Sequence, residues 1–349
     1  MSGHEDQIQK DQIQETHDEE TQVLKARIEA DQPVDTTTRS PQQGTTDLPK
    51  FIAIVNARAG EVLQSGQPAF GDAIVQAFDK LGISCDVRFV KPRNLADAVK
   101  SAVLSKPGAL LVAGGDGTVN RLLPHLAAAD IPVGLVPLGT LNLLARDIGL
   151  QGSLDSILAQ LARTEPEMVD LGEVNGNLFH SNAGLGFFAR MAREREGARQ
   201  FVPFSKMLGF TLAALRSIWL HRPITIDITL DGVVQTHVAD ALLVTNNQFH
   251  GSEWRRERLD TGKLEVHMLA AAGLMARMRA GIAVYRGTWR DLPHLTSLTT
   301  STLTVKRRGR SRSTMSLDGE VYRVRNPIHF QSIPAAIELI TAASRRVKS

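Results

Sequence analysis

The 349-residue chain holds one cysteine, Cys85, two tyrosines and only 5% aromatic residues in all. One thiol cannot form an intramolecular disulfide, which excludes a small disulfide scaffold and makes a reducing, cytoplasmic setting the expectation. Clean apolar runs are missing as well. The longest, over 264–278 and 201–220, are broken by His267 and Arg277 and by Lys206 and Arg216. Neither supplies the roughly 20 uninterrupted apolar residues of a bilayer-spanning helix. The N-terminal residues lack the basic-then-apolar profile of a secretory leader. Any membrane contact is therefore expected to be peripheral.

What is present is enough apolar material, 42% of residues, for two ordinary domains. The formal charge of +3 conceals a division: residues 1–50 carry 5 Lys/Arg against 11 Asp/Glu (net −6), leaving 35 against 26 (net +9) for residues 51–349. A basic body favours anionic partners such as nucleotides or acidic lipid headgroups. Residues 1–49, rich in Asp, Glu, Gln and Thr and without an aromatic side chain, read as a disordered acidic tail.

From Phe51 onward, short β-branched runs alternate with helical patterns. Strands are predicted over 51–56, 85–90, 109–113 and 133–136, and helices over 68–81, 95–105, 118–128, 142–148 and 154–163. This alternation predicts an α/β domain with a parallel sheet over residues 50–166. Residues 167–330 read as a mainly antiparallel β-sandwich, with strand-like segments at 168–174, 177–182, 224–230, 233–246, 264–269, 303–306, 315–317 and 321–325. Asn175-Gly176 and Asp231-Gly232 supply hairpin turns. Helical insertions are expected over 187–220 and 271–286, and residues 331–349 are expected to pack back on the first domain.

The strand over 109–113 runs into Gly114-Gly115-Asp116-Gly117-Thr118, with Val119 and Asn120 continuing into a helix. Glycines let a backbone approach phosphate oxygens, and a helix start adds N–H donors and a positive dipole end. Asp116 is then placed to meet a Mg²⁺ ion bridging the phosphates, or to take a proton from a hydroxyl. No Gly-Lys-Ser/Thr follows, so this is not a Walker loop, nor is it the Gly-x-Gly-x-x-Gly dinucleotide fingerprint. A second loop, Pro137-Leu138-Gly139-Thr140-Leu141-Asn142, follows the next strand. Parallel strands put their carboxyl ends on one edge, so the two loops should face one crevice, with Asn56 at the end of the first strand on the same edge. Thr140 and Asn142 become candidate nucleotide contacts, with helix capping as their alternative role. Near the C-terminus, Glu320 follows an Asp318-Gly319 turn, where a carboxylate could serve as base for an alcohol or be an ordinary hairpin charge.

Gly-Gly-Asp-Gly-Thr, Pro-Leu-Gly-Thr-x-Asn, then Ser181-Asn182-Ala183-Gly184-Leu185-Gly186 and Leu317-Asp318-Gly319-Glu320, in this order over residues 50–342, resemble the diacylglycerol kinase catalytic-domain family. The resemblance implies an α/β domain followed by a β-sandwich, with ATP and Mg²⁺ in the cleft between them and a lipid as phosphoryl acceptor. It implies that Gly115 through Asn120 and Thr140 hold ATP, with Gly114 beside them as a further candidate, that Asp116 serves the metal–phosphate centre, and that Glu320 accepts the hydroxyl proton. The chain departs from the pattern in three places. Val90 stands where members often carry Thr, Arg121 replaces a frequent Glu, and Asp260-Thr261-Gly262 shifts by one the acid of a structural Mg²⁺ site, leaving Asp260 as the metal candidate there.

For the lipid, the apolar stretch 201–220 after Arg190, Arg193, Arg195 and Arg199 suggests a docking helix. The basic runs 255–258 and 306–312 are candidates for anionic phospholipids or for plain solvated loops. Neither interleaves aromatics, so no nucleic acid partner is expected. The oligomeric state stays open, a homodimer included. Two alternatives remain: an NAD kinase or phosphofructokinase-like phosphotransferase, which such a Gly-Gly-Asp-Gly loop also resembles, and a non-catalytic nucleotide- and membrane-binding module.

Overall fold

The computed structural model describes residues 51–163, 165–201, 219, 222–250, 255–286 and 288–342. The expected acidic tail, most of the apolar stretch 201–220 and the residues after 342 lie outside the described residues. The first domain runs β1 (Phe51–Asn56), α1 (Gly60–Ser65), α2 (Gln67–Asp79), β2 (Cys85–Val90), α3 (Leu95–Leu104), β3 (Ala109–Gly114), α4 (Asp116–Ala127), β4 (Val133–Pro137), α5 (Leu143–Asp147) and α6 (Leu154–Arg163). Its four strands are parallel in the order β2-β1-β3-β4. β1 and β3 are buried almost throughout, which is why both are nearly unbroken apolar runs. From α2, Phe70, Ile74 and Phe78 recur at helical spacing into this core, the last meeting Phe51 edge-on with ring centroids 5.2 Å apart. The lone Cys85 begins β2, where burial first, then the charges of Asp86 and Asp79, push its thiol up to about 12. It stays protonated and unreactive.

The strand order reverses between β1 and β3, because the chain moves outward from β1 to β2 and then crosses to the other side. In open α/β sheets the crevice at such a switch point, at the carboxyl ends of the strands, is where ligands bind. Asn56 ends β1 there and Gly114 ends β3.

The second domain contains β5 (Pro166–Val174), β6 (Asn177–Phe179), β7 (Asn182–Gly186), α7 (Phe187–Phe201), β8 (Ile224–Leu230), β9 (Val233–Asn246), β10 (Phe249–His250), β11 (Arg255–Arg256), β12 (Leu264–Ala270), α8 (Gly273–Arg286), β13 (Leu295–Thr300), β14 (Thr302–Arg307), β15 (Arg312–Leu317), β16 (Glu320–Arg325) and β17 (Ile328–Ile340). These strands pair antiparallel in the order β16-β15-β7-β9-β8-β14-β17, with β12 also on β9 and β5 on β17. Phe179, Ile226, Val244, Val305, Met315 and Phe330 fill the sandwich core.

β17 is absent from the predicted strands. Pro334 interrupts its pattern, the pairing register with β5 shifts between Ile333 and Ile337, and Ala335 sits at φ 49° with its N–H on Asp170 Oδ1 at 3.0 Å. Beyond the irregularity, Leu339 pairs in parallel with Val133 of β4, and Ile337, Leu339 and Ile340 join the first domain's core.

The sandwich also buries a polar cluster. Glu265 and His267 lie two residues apart on β12 and therefore on one face. Glu265 accepts from both terminal nitrogens of Arg290 at 2.9 Å and lies 3.1 Å from His267 Nε2, while His267 Nδ1 meets Ser297 Oγ at 2.8 Å. Burial works to raise the Glu265 carboxyl, but bonds from His267 and Arg290 outweigh it and bring it from 4.5 down to about 2. A depressed carboxyl contributes stability that is complete above its unfolded value and lost as pH falls through its folded value. The gap in denaturant stability between the parent and Glu265→Gln should therefore be on the order of 3 kcal/mol at neutral pH. It should close as pH falls from 4.5 toward 2. A gap that does not vary over that range would show the carboxyl to be ordinary.

Candidate active site

Helix α4 starts directly on the Gly-rich turn. Its first N–H groups, on Asp116 and Gly117, have no acceptor within the helix, as at any helix start, and Thr118 N–H closes back on Gly115 O at 2.8 Å. Thr118 is buried and its Oγ1 accepts from Asn56 Nδ2 at 2.9 Å, so the switch point between β1 and β3 is bridged by side chains. A Cβ on Gly115 would lie 3.0 Å from Gly139 Cα. The two loops thus touch backbone to backbone, which only glycine at both positions allows. Val119 is buried in the core and also lines the small recess between the two loops, with Gly114, Gly115, Asp116 and Asn142.

Asp116 joins the loops. Its Oδ1 accepts from Leu143 N–H at 2.7 Å and its Oδ2 from Asn142 N–H at 2.9 Å, at the start of α5. Asn142 takes a left-handed conformation, φ 47°, and folds its amide over Gly139, accepting from its N–H at 2.8 Å and donating to its carbonyl at 2.9 Å. Thr140 is left exposed at the loop's tip. The role of Asn142 is thus to shape the loop, which its sequence position alone left open. Each Asp116 oxygen keeps lone-pair capacity beyond these bonds. That suits a Mg²⁺ ion arriving with phosphates, since such ions take one or two protein carboxylates and keep several waters.

The other wall comes from the sandwich. Asp318 (φ 47°) and Gly319 (φ 82°) form the two-residue turn between β15 and β16. The buried Asp318 carboxylate accepts from Ser181 and Asn182 N–H at 2.8 Å each and from His180 N–H at 2.9 Å. This fixes the turn against the chain entering β7, so two motifs far apart in sequence are physically one unit. Asn120 Nδ2 on α4 donates to Asp318 O at 3.4 Å, linking the domains. Glu320, exposed at the start of β16, has Oε1 3.0 Å from where a Cβ on Gly117 would lie. Tyr322 follows on the same face. Burial first, then the charges of Glu320 and Asp318, raise its hydroxyl, with Arg121 acting against them.

Gly117→Ala therefore tests the proximity. Alanine suits a first helical turn, so stability should hold or rise slightly. The added methyl must push the Glu320 carboxylate back by a few tenths of an ångström, so turnover should fall, by less than the roughly 10²-fold that a 1 Å misplacement costs. Unchanged turnover of whatever reaction the site performs would show that Glu320 and the loop do not cooperate.

Arg256 corrects the reading of 255–258 as a surface cluster. It is 1% exposed, its Nε donates to Asp147 Oδ2 at 2.9 Å, its backbone N–H donates to Asp147 Oδ1 at 3.1 Å, and its Nη1 donates to Asn246 O at 3.0 Å and to His180 O. Asp147 closes α5, whose opening residues hold Asp116, and His180 holds Asp318. Hydrogen bonds and one short helix thus lead from Asp116 through Asp147, Arg256 and His180 to the turn that presents Glu320. No feature of the charge run marks Arg256 as the buried member.

Asp260, expected as a metal candidate, lies just past this same run. It is exposed, and its oxygens accept from Arg258 Nε at 3.0 Å and Nη2 at 3.1 Å. Thr261 N–H donates to Asn247 Oδ1 at 2.9 Å, as does its hydroxyl, and Asp170 accepts from Gly262 N–H at 2.7 Å. Among the described residues no group of three His, Cys, Asp or Glu is arranged for a metal. Val90 ends β2 beside Asn56, without a hydroxyl to offer. No described helix is long and apolar enough to cross a membrane.

Comparison with known proteins agrees with this fold. Residues 50–174 match the diacylglycerol kinase catalytic domain, and residues 183–341 the YegS C-terminal NAD kinase beta sandwich-like domain. A diacylglycerol kinase of Bacillus subtilis (strain 168) is 25% identical over 258 residues, covering 71% of this chain and 82% of its own. One of Mycobacterium tuberculosis (strain ATCC 25618 / H37Rv) is 27% identical over 252 residues, covering 69% and 79%. Solved structures from Bacillus anthracis str. Sterne, described as diacylglycerol kinases, share the fold with TM-scores of 0.68 and 0.58 at 20% and 17% identity, covering 87% and 86% of this chain and 99% of theirs. With both domain models matched in order and the motif loops assembled around one cleft, the chain belongs to the diacylglycerol kinase catalytic-domain family.

Proposed function

We propose that the chain is an ATP-dependent lipid kinase that transfers the γ-phosphoryl group to the hydroxyl of diacylglycerol or a related lipid. The observation that carries this is the Glu320 carboxylate held against the first turn of α4, with Oε1 3.0 Å from the Cβ position of Gly117. A helix start with backbone contact between two glycine loops suits phosphates, and a carboxylate beside it suits an incoming alcohol. In this reading the lipid oxygen bonds to the γ-phosphorus as Glu320 takes its proton, and the bond to the β-phosphate oxygen breaks to release ADP. Mg²⁺, bound with ATP and held on the protein by Asp116, would neutralise phosphate charge. Asn56, Thr118 and Asn142 keep the two loops in place, so most of the rate arises from positioning and charge neutralisation.

The test is purified protein with radiolabelled ATP, Mg²⁺ and a panel of diacylglycerols and sphingoid bases in mixed micelles, run beside NAD and sugar phosphates. A phosphorylated lipid supports the assignment. Phosphorylated NAD or sugar with no lipid product would replace it by the soluble phosphotransferase alternative, and ATP binding without any product by the non-catalytic one.

A further inference from the structure

Helix α8, between β12 and β13, has the sequence Gly-Leu-Met-Ala-Arg-Met-Arg-Ala-Gly-Ile-Ala-Val-Tyr-Arg, with three arginines and no acidic residue. Met275, Met278 and Ile282 are 65%, 41% and 52% exposed. Their i, i+3, i+7 spacing puts them in one stripe along the helix, with Ala280 buried on another side. Arg279 and Arg286 are also exposed and stand one turn from members of the stripe. Beside the C-terminal half of α8 lies an open cavity of about 290 Å³, lined by Arg279, Ile282 and Arg286 together with Thr288, Asp291 and Leu292.

The segment that follows α8 is firmly seated. Trp289 is 3% exposed and meets His267 edge-on, and Arg290 bonds the buried Glu265 and Phe249 O at 2.6 Å. An apolar stripe flanked by cations, on a helix without acids and mounted on a rigid anchor, matches a helix lying in a lipid interface. There, apolar side chains enter the acyl boundary and guanidinium groups pair with phosphates. The net charge of +9 on residues 51–349 adds attraction of the same sign.

We propose that α8 docks the protein on anionic membranes, with Met275, Met278 and Ile282 inserted below the headgroups and Arg279 and Arg286 on lipid phosphates, one of them in the adjoining cavity. The assignment deepens the lipid kinase reading by naming the surface that brings a bilayer-held substrate to the enzyme, and in purpose it rests on that reading. Its test does not.

Sedimentation of the full chain with vesicles of phosphatidylcholine, with and without phosphatidylglycerol, gives the affinities. The parent should bind the phosphatidylglycerol vesicles preferentially. Arg279→Gln/Arg286→Gln should weaken that binding about thirtyfold, from roughly 1 kcal/mol per basic residue at the surface. Met275→Ser/Met278→Ser/Ile282→Ser should weaken it at least as much, with both variants melting like the parent. Parent-like binding by either variant, or no preference of the parent for phosphatidylglycerol, would overturn the proposal. Phosphorylation of a short-chain, water-soluble diacylglycerol should be equal in all three proteins. If none phosphorylates it while the vesicle losses appear, docking stands and the substrate assignment fails.

Discussion

Glu320→Gln should leave the protein folded and able to bind ATP while lowering lipid phosphorylation by about 10²- to 10⁴-fold, the usual contribution of a positioned general base. The side chain is exposed at a strand start, so the exchange of one oxygen for an amide nitrogen removes no core packing and stability should change by less than about 0.5 kcal/mol. Glutamine preserves size and hydrogen bonding but cannot accept the hydroxyl proton. The loss should therefore fall on kcat, with the KM for ATP nearly unchanged. Steady-state kinetics with ATP and lipid varied separately give both numbers. Asp116→Asn, by contrast, alters the group that binds the two loops together and should weaken ATP binding as well as turnover. If Glu320→Gln retains the parent rate, the carboxylate is a hairpin charge and another group must take the proton.

The other large effect is structural. Arg256→Met should destabilise the protein by about 3–5 kcal/mol, because it strands the buried Asp147 carboxylate without its partner. It also removes the donor to the carbonyls of Asn246 and His180. The melting temperature should fall by roughly 5–15 °C for a chain of this size. Arg256→Met/Asp147→Leu removes both charges and should recover most of that loss, since replacing a buried ion pair by apolar groups is often neutral. In the double variant stability returns but the link from α5 to the Asp318 turn does not, so turnover should stay below the parent's. A single variant that melts with the parent would show that the pair contributes nothing.

The parts of the molecule legible in the sequence are those in which local pattern and final environment agree. β1 and β3 are buried on both faces and read as continuous apolar runs, and their helices carry the matching spacing. The convergence of Gly114–Asn120 with the Gly139–Asn142 loop follows from parallel topology alone, and the Asp318-Gly319 pair announces its own turn. The rest depends on distant partners. Arg256 looks no different from Arg255 or Arg258; what buries it is Asp147, more than a hundred residues earlier. Asp116 carries the same glycine neighbours whether it faces a cation or the start of α5. β17 was hidden because Pro334 and its bulge break the alternation, although the strand is continuous across them.

That strand bears on how the enzyme can move. Residues 328–333 belong to the sandwich ladder, and Leu339 to the sheet that carries the two glycine loops. β5 runs antiparallel beside it over most of the same length, from Pro166 opposite Ile340 to Val174 opposite Phe330. The domains are therefore joined by a two-stranded ribbon rather than by a slack connector. Opening and closing of the cleft must flex this ribbon, and the interruption at Ile333–Ile337 is where it can bend without breaking the ladder on either side. The bulge that hid β17 is thus the one place along the ribbon where its own pairing is already interrupted, and Asp170 braces it by accepting from Ala335 and Gly262 N–H.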